Sequence, residues 1–199
     1  MARKKKILYP VLFMILLTAV FTFVLAFINA SSIDLIREQE ELRIQRSILY
    51  VFDVAHEDSD ESVSSTFNQF ITTETEDSKT YYVYKTDGEI KGYAFEFSGK
   101  GLWGTITGNI ALAPKFDKIL GVDFISHSET PGLGGRIDED WFKEQFRDMD
   151  VNTPSPVIFK PAEGGNVDAV TGATLTSNSV RDMINSFIEK IDQEVMVNE

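Results

Sequence analysis

Tyr81-Tyr82-Val83-Tyr84-Lys85-Thr86-Asp87-Gly88-Glu89-Ile90-Lys91-Gly92-Tyr93-Ala94-Phe95-Glu96-Phe97 is the stretch on which the fold turns. Two runs rich in aromatic residues flank Asp87-Gly88, and the second alternates, with Tyr93, Phe95 and Phe97 sharing one side. Alternation places successive side chains on opposite sheet faces, and Asp-Gly suits a tight turn, so the segment predicts a β-hairpin. A second pair of strands follows at about 104–112 and 119–127, joined through Pro114-Lys115-Phe116-Asp117. Further on, Trp141 and Phe142 fall in a short helix at about 139–147. The closing helix is the clearest, because Val180, Met183, Ile184, Phe187, Ile188, Ile191 and Val195 recur at spacings of three and four. Strands in succession between helical ends indicate an α+β domain, a mainly antiparallel sheet with flanking helices.

Upstream, residues 31–53 carry a helical stripe: Leu35, Leu42 and Leu49 lie seven apart, and Ile44, Ile48 and Phe52 continue it at four. Ser31 or Ser32 could cap its start. Packing on the domain's own core is the expected use of this stripe, a partner-facing role the alternative. The run Glu57-Asp58-Ser59-Asp60-Glu61-Ser62 reads as a solvated acidic loop, since it lacks the glycine and twelve-residue order of a calcium loop.

Residues 7–30 are almost wholly apolar, with Thr18, Thr22 and Asn29 as polar members and Pro10 near the start. About 20 helical residues span the ~30 Å hydrocarbon core of a bilayer, so this is read as a transmembrane helix. It is longer than the apolar region of a signal peptide, and no clear A-x-A cleavage site follows. Arg3, Lys4, Lys5 and Lys6 on its N-terminal flank place that end in the cytoplasm and the rest outside. The expected organisation is a basic tail at 1–6, the transmembrane helix at 7–30, a helical stalk at 31–53 and an extracytoplasmic domain at 54–199.

Charge and composition then exclude several functions. The chain carries a net charge of −12, four of its nineteen basic residues sit in the N-terminal tail, and no acidic residue precedes Asp34. The outer domain is therefore more acidic still and repels nucleic acid. With no cysteine, the chain can hold neither a thiolate-ligated iron–sulfur cluster nor covalently attached c-type haem. No Ser-His-Asp arrangement, zinc-ligand spacing or nucleotide P-loop appears, and no metal site is expected.

Three short segments carry chemistry. Asp168-Ala169-Val170-Thr171-Gly172-Ala173-Thr174, followed by Leu175-Thr176-Ser177, crowds hydroxyls at the start of the final helix. A helix start offers unpaired N–H groups and partial positive charge, which favours a phosphate; Thr or Ser there is also ordinary N-capping, the commoner role. His127-Ser128-Glu129-Thr130-Pro131-Gly132-Leu133-Gly134-Gly135-Arg136 is an irregular loop whose glycines let backbone approach a ligand or merely turn the chain. In Gly99-Lys100-Gly101-Leu102-Trp103-Gly104, Trp103 stands between glycines that give it little packing, although closing the core is an ordinary use of tryptophan. His127 is read as a hydrogen-bonded structural histidine, and Lys100 as a solvated lysine.

These segments resemble the FMN-carrying subunits of the Rnf and sodium-translocating NADH:quinone reductase complexes. The family's flavinylation pattern is Asp, two variable residues, Ser or Thr, Gly, Ala and the acceptor Thr or Ser. Asp168, Thr171, Gly172, Ala173 and Thr174 match every fixed position, and the resemblance implies that Thr174, rather than Thr176, carries FMN through a phosphoester. Glu129 to Gly134 match the family's Glu-Thr-Pro-Gly-Leu-Gly loop, which implies that Thr130 hydrogen-bonds the flavin and that Leu133, with Gly132 and Gly134, lies against it. Gly101-Leu102-Trp103 resembles the Gly-Leu-Trp segment of the quinone-reductase protein, which places Leu102 and Trp103 in the flavin pocket. The resemblance covers roughly residues 92–186 together with the N-terminal anchor.

It implies one covalent FMN, an electron-carrier subunit rather than a stand-alone enzyme, and a place in the cell (inner) membrane. The partners implied are the other membrane subunits of such a complex, a flavin transferase that uses FAD as donor, and the bilayer around residues 7–30. The short chain favours the Rnf complex and Gly-Lys-Gly-Leu-Trp-Gly the quinone reductase; the Rnf assignment is the one adopted. The alternative is an anchored extracytoplasmic ligand-binding or sensor module with a noncovalent ligand.

Overall fold

The computed structural model describes the backbone of residues 2–76, 79–153 and 155–197, and the side chains of 8–76, 79–153 and 155–191. The side chains of the basic tail and of Val195 lie outside that set. The chain divides into two compact units, Met1–Glu41 and Leu42–Glu199.

From Ala2 onward the first unit is helix, the greater part of α1 (Ala2–Val51). Its apolar side chains from Leu8 to Ile28 face outward, Leu12, Phe23 and Leu25 among them. In water that surface would be costly; in hydrocarbon it is not, and a helix satisfies its backbone polar groups internally. The segment is long and apolar enough to cross a membrane, and none of its apolar window is buried in protein. No new helix begins at Ser31, contrary to the expectation of a cap there: α1 runs through, and Ser31 Oγ donates back to the Phe27 carbonyl at 2.9 Å.

The second unit is built on six antiparallel strands whose spatial order is their sequence order. They are β1 (Ile71–Glu76), β2 (Lys79–Thr86), β3 (Glu89–Lys100), β4 (Thr105–Leu112), β5 (Lys118–Ser126) and the short β6 (Met149–Asp150). The hairpin expected around Asp87-Gly88 is present as β2 and β3, with Thr86 paired to Glu89 and φ of 53° and 79° at the two turn residues. Positive φ at both positions is the type I′ geometry that matches strand twist. The second expected pair is β4 and β5.

Each sheet face buries a different layer. On one, Phe97, Ile106, Ile110, Val122 and Phe124 pack with Val180, Met183 and Ile184 of α4 (Thr174–Val197) and with Phe142 of α3 (Asp140–Lys143). A 3₁₀ turn at Glu144–Phe146 completes the expected helix near 139–147 and buries Phe146. On the other face, small residues admit helix. Ala94 and Ala111 are paired across β3 and β4, and the last turns of α1 lie there, burying Leu42, Ile48, Leu49, Val51 and Phe52. A β-carbon at Gly121 would stand 2.5 Å from the Val51 carbonyl, so a side chain at that position would displace the helix end. The stripe over 31–53 therefore packs on the domain core from Leu42 onward, whereas Leu35 is exposed.

Two elements depart from the sequence reading. The acidic loop ends at Ser59, whose hydroxyl accepts the Ser62 N–H and caps α2 (Asp60–Phe70), with Asp60 and Glu61 in its first turn. Acidic residues there complement the helix dipole, and Val63 and Phe67, four apart, bury its inner side. Arg46 of α1 holds Asp58 at 2.5 Å and Asp60 at 2.7 Å. Strand β1 has no counterpart in the sequence pattern, because Ile71 is its one buried residue and its pairing with β2 adds to the backbone ladder polar contacts such as Tyr81 Oη donating to Glu74 at 2.9 Å.

Candidate functional site

The three motif segments meet at one end of the sheet: the link from β3 to β4, the chain leaving β5, and the start of α4. The first is a tight turn in which the Gly101 N–H donates to the Gly104 carbonyl at 2.7 Å. The second leaves β5 at Ser126 and is set by His127. Its Nδ1 accepts the Glu129 N–H at 3.1 Å, so its Nε2 carries the proton donated to Asp138 at 2.8 Å, and the ring serves structure as expected. Thr130 to Leu133 then form a turn closed by the Leu133 N–H on the Thr130 carbonyl at 3.1 Å. Pro131 in second place and Gly132 at φ 73° in third are the signature of a type II turn.

A similar turn starts α4. Gly172 has φ 78°, and the Ala173 N–H donates to the Val170 carbonyl at 3.0 Å. Ser177 fastens it from inside, its hydroxyl accepting the Val170 N–H at 3.0 Å, while Ala173 is buried in the core. The first intrahelical bond runs from the Ser177 N–H to the Ala173 carbonyl. Among the described residues, the N–H groups of Thr174, Leu175 and Thr176 meet no backbone or side-chain acceptor, as the first turn of a helix dictates.

The hydroxyls of this turn are disposed differently. Thr176 is 1% exposed and donates to Glu129 Oε2 at 2.5 Å. Thr174 and Thr171 are exposed, and among the described residues their hydroxyls make no hydrogen bond. Capping by Thr174 or Thr171, the ordinary use, is therefore not their use here.

Glu129, to which the sequence pattern assigns no role of its own, joins all three segments. Its buried carboxylate accepts the N–H groups of Leu102 and Trp103 on Oε1 at 2.8 and 3.0 Å, besides the Thr176 hydroxyl on Oε2. Gly172 closes the remaining approach, since a β-carbon there would lie 3.3 Å from Leu133 Cδ2. The signal that could have found Glu129 is an acidic residue with no basic neighbour inside a glycine-rich loop.

The result is an open face bearing large apolar groups. Trp103 is 67% exposed and closes no core; Leu102, Leu133 and Leu175 are also exposed, as is Thr130. An apolar cluster open to solvent marks a binding surface. Asp168 stands apart from this assembly: its carboxylate pairs with Lys160 at 3.0 Å, and Gln145 clasps its backbone, accepting from its N–H at 2.7 Å and donating to its carbonyl at 3.3 Å. Arg136, beside the loop, is engaged by Glu139, and hydrogen bonds from Arg136 and Trp141 hold that carboxyl below the ordinary range. A cleft of about 540 Å³ lined in part by Gln145, Arg147 and Asn166 shares no residue with the face.

The residues present fit FMN. An unengaged threonine hydroxyl beside unpaired helix N–H groups suits its phosphate, and an exposed indole with two leucines suits its flat ring.

Comparison with known proteins agrees. Residues 101–189 match the family model described as FMN-binding domain. The chain is 34% identical over 109 residues to the G subunit of the ion-translocating oxidoreductase complex of Methanosarcina acetivorans, a match covering 55% of this chain and 56% of that protein. It is 30% identical over 122 residues to the C subunit of the Na(+)-translocating NADH-quinone reductase of Pseudomonas aeruginosa, covering 56% of this chain and 47% of the other. The chain thus spans about half the length of these curated relatives. In fold it is similar to the crystal structure of the C subunit of the Na(+)-translocating NADH-quinone reductase from Parabacteroides distasonis, with a TM-score of 0.64 at 24% identity over 75% of this chain and 89% of that one. Over residues 101–189 the chain is accordingly similar to the FMN-binding domain family, and over about half its length to these subunits of ion-translocating complexes.

Proposed function

We propose that the chain is a membrane-anchored electron-transfer subunit of an ion-translocating redox complex of the Rnf or Nqr type, with FMN joined through its phosphate to Thr174. The observation that carries the reading is the contrast within one helix turn: Thr174 is exposed with a free hydroxyl, and Thr176 is buried and committed to Glu129.

FMN supplies the redox chemistry; the chain supplies attachment, position and shielding. Thr174 would hold FMN through a phosphoester, its oxygen replacing AMP on the FMN phosphate of FAD in the reaction of a flavin transferase, and the first-turn N–H groups would serve that phosphate. Leu102, Trp103 and Leu133 would hold the ring, and Thr130 would offer it a hydroxyl. Gly172 and Gly132 keep the backbone low where a side chain would stand in the way. A covalent link suits a carrier outside the cytoplasm, where a noncovalent flavin would be lost by dilution. Arg3, Lys4, Lys5 and Lys6 directly before the apolar helix, against Arg37 as the first basic residue after it, support a cytoplasmic N-terminus and an outer domain. Relatives of both complex types support the membrane partners without deciding between them, and the proteins that co-purify with the detergent-solubilised chain make that decision.

Denaturing electrophoresis under ultraviolet light tests the attachment. The chain made beside the transferase should give a fluorescent band, Thr174→Val a dark one and Thr176→Val a fluorescent one. A fluorescent Thr174→Val band with a dark Thr176→Val band would contradict the assignment, and a dark wild-type band would favour a noncovalent ligand.

A further inference from the structure

We infer that Glu129 is the positioning residue of this site, a role that rests on the flavin reading above. Glu129 is 4% exposed, and its three partners, the Leu102 and Trp103 N–H groups and the Thr176 hydroxyl, are all donors. A single buried anion thereby ties the segment offered to the ring to the helix turn that carries Thr174. Burying a carboxylate without a cation is costly, and no basic side chain pairs with it among the described residues, so the three charge-assisted hydrogen bonds carry the compensation.

The backbone is shaped around this carboxylate from two sides. A β-carbon at Gly101 would stand 2.5 Å from Oε1, and one at Gly134 would stand 2.8 Å from Oε2 and 2.6 Å from the Thr176 hydroxyl. Glu129 and Thr176 are both buried and act through their neighbours. Their effect is the spacing between the segment of Leu102 and Trp103 and the turn of Thr174, and an error there would misplace the ring against its contacts.

The test uses the full chain in detergent, flavinylated beside the transferase, as wild type, Glu129→Gln, Glu129→Ala and Thr176→Val. The fluorescence of the denatured band reports attachment. Flavin emission and its anisotropy in the folded protein report position, because an indole against the ring quenches emission. Glutamine keeps the geometry, its oxygen accepting both N–H groups and its amide donating to the Thr176 hydroxyl, so Glu129→Gln should match wild type. Glu129→Ala should keep the attached flavin yet show emission raised several-fold and anisotropy lowered, with Thr176→Val between the two. Unchanged emission and anisotropy in Glu129→Ala, whatever its melting temperature, would overturn the proposal; if that variant does not fold, wild-type emission from Thr176→Val would do so. A dark wild-type band overturns the flavin reading and this role with it, whereas a bright band with an unmoved Glu129→Ala overturns the Glu129 role alone.

Discussion

Thr174 and Thr176 stand two positions apart and face opposite ways, one into solvent and one onto a buried carboxylate. That difference is what a motif cannot convey, because the spacing of hydroxyls is visible in sequence and their burial is not. The glycines are better witnesses. Pro131-Gly132 can be read as part of an irregular loop from residue type alone, and both Gly132 and Gly172 have positive φ. Gly134 is different: its backbone is ordinary, and it is needed because Thr176 and Glu129 fill the space a side chain would take. Gly134→Ala should therefore destabilise the domain by about 1–3 kcal/mol, the usual cost of overpacking a close-packed site. A thermal melt of the flavin-free protein measures this, and an unchanged midpoint would show that the loops can part without penalty.

Among elements, those with strong periodicity were legible and those held by their surroundings were not. The β2–β3 hairpin and α4 declare themselves through alternation and through spacings of three and four. The helix α2 was hidden because only Val63 and Phe67 mark its inner face and its first turn reads as an acidic loop. The strand β1 was hidden because it borrows its order from β2. The end of α1 is secured to the sheet by polar contacts no periodicity reveals, with Arg147 donating to the Tyr50 and Leu120 carbonyls at 2.9 and 3.0 Å, and to Glu144 at 2.6 Å. Burial raises the Glu144 carboxyl, but hydrogen bonds from Arg147 and Tyr50 outweigh it and hold it below the ordinary carboxylate range. A folded-state value below the unfolded one stabilises above the ordinary carboxylate range and is lost as pH falls through the folded value. Glu144→Gln should thus melt below wild type near neutral pH, and the gap should close in acid; a gap constant with pH would remove this linkage.

At the scale of the molecule, the apolar helix and the acidic domain after it were legible because composition alone separates them. The meeting of three loops at one end of the sheet was not, because residues 101, 129 and 174 are brought together by strand order and by a helix that returns across one face. The core begins at Leu42, inside α1, since Leu42, Ile48, Leu49, Val51 and Phe52 are buried with α2 and the sheet. A protein starting at Leu42 should fold without detergent, with a cooperative melt. One starting at residue 54 loses all five side chains and should not; a cooperative melt from the shorter protein would show that the helix end is dispensable.

A phosphoester on Thr174 is read out by mass spectrometry of the proteolytic peptide containing residues 171–177, from chain made beside the flavin transferase. The expected peptide is heavier by FMN less one water, with fragment ions placing that mass on Thr174. The same mass on Thr171, Thr176 or Ser177, or an unmodified peptide, would contradict that assignment.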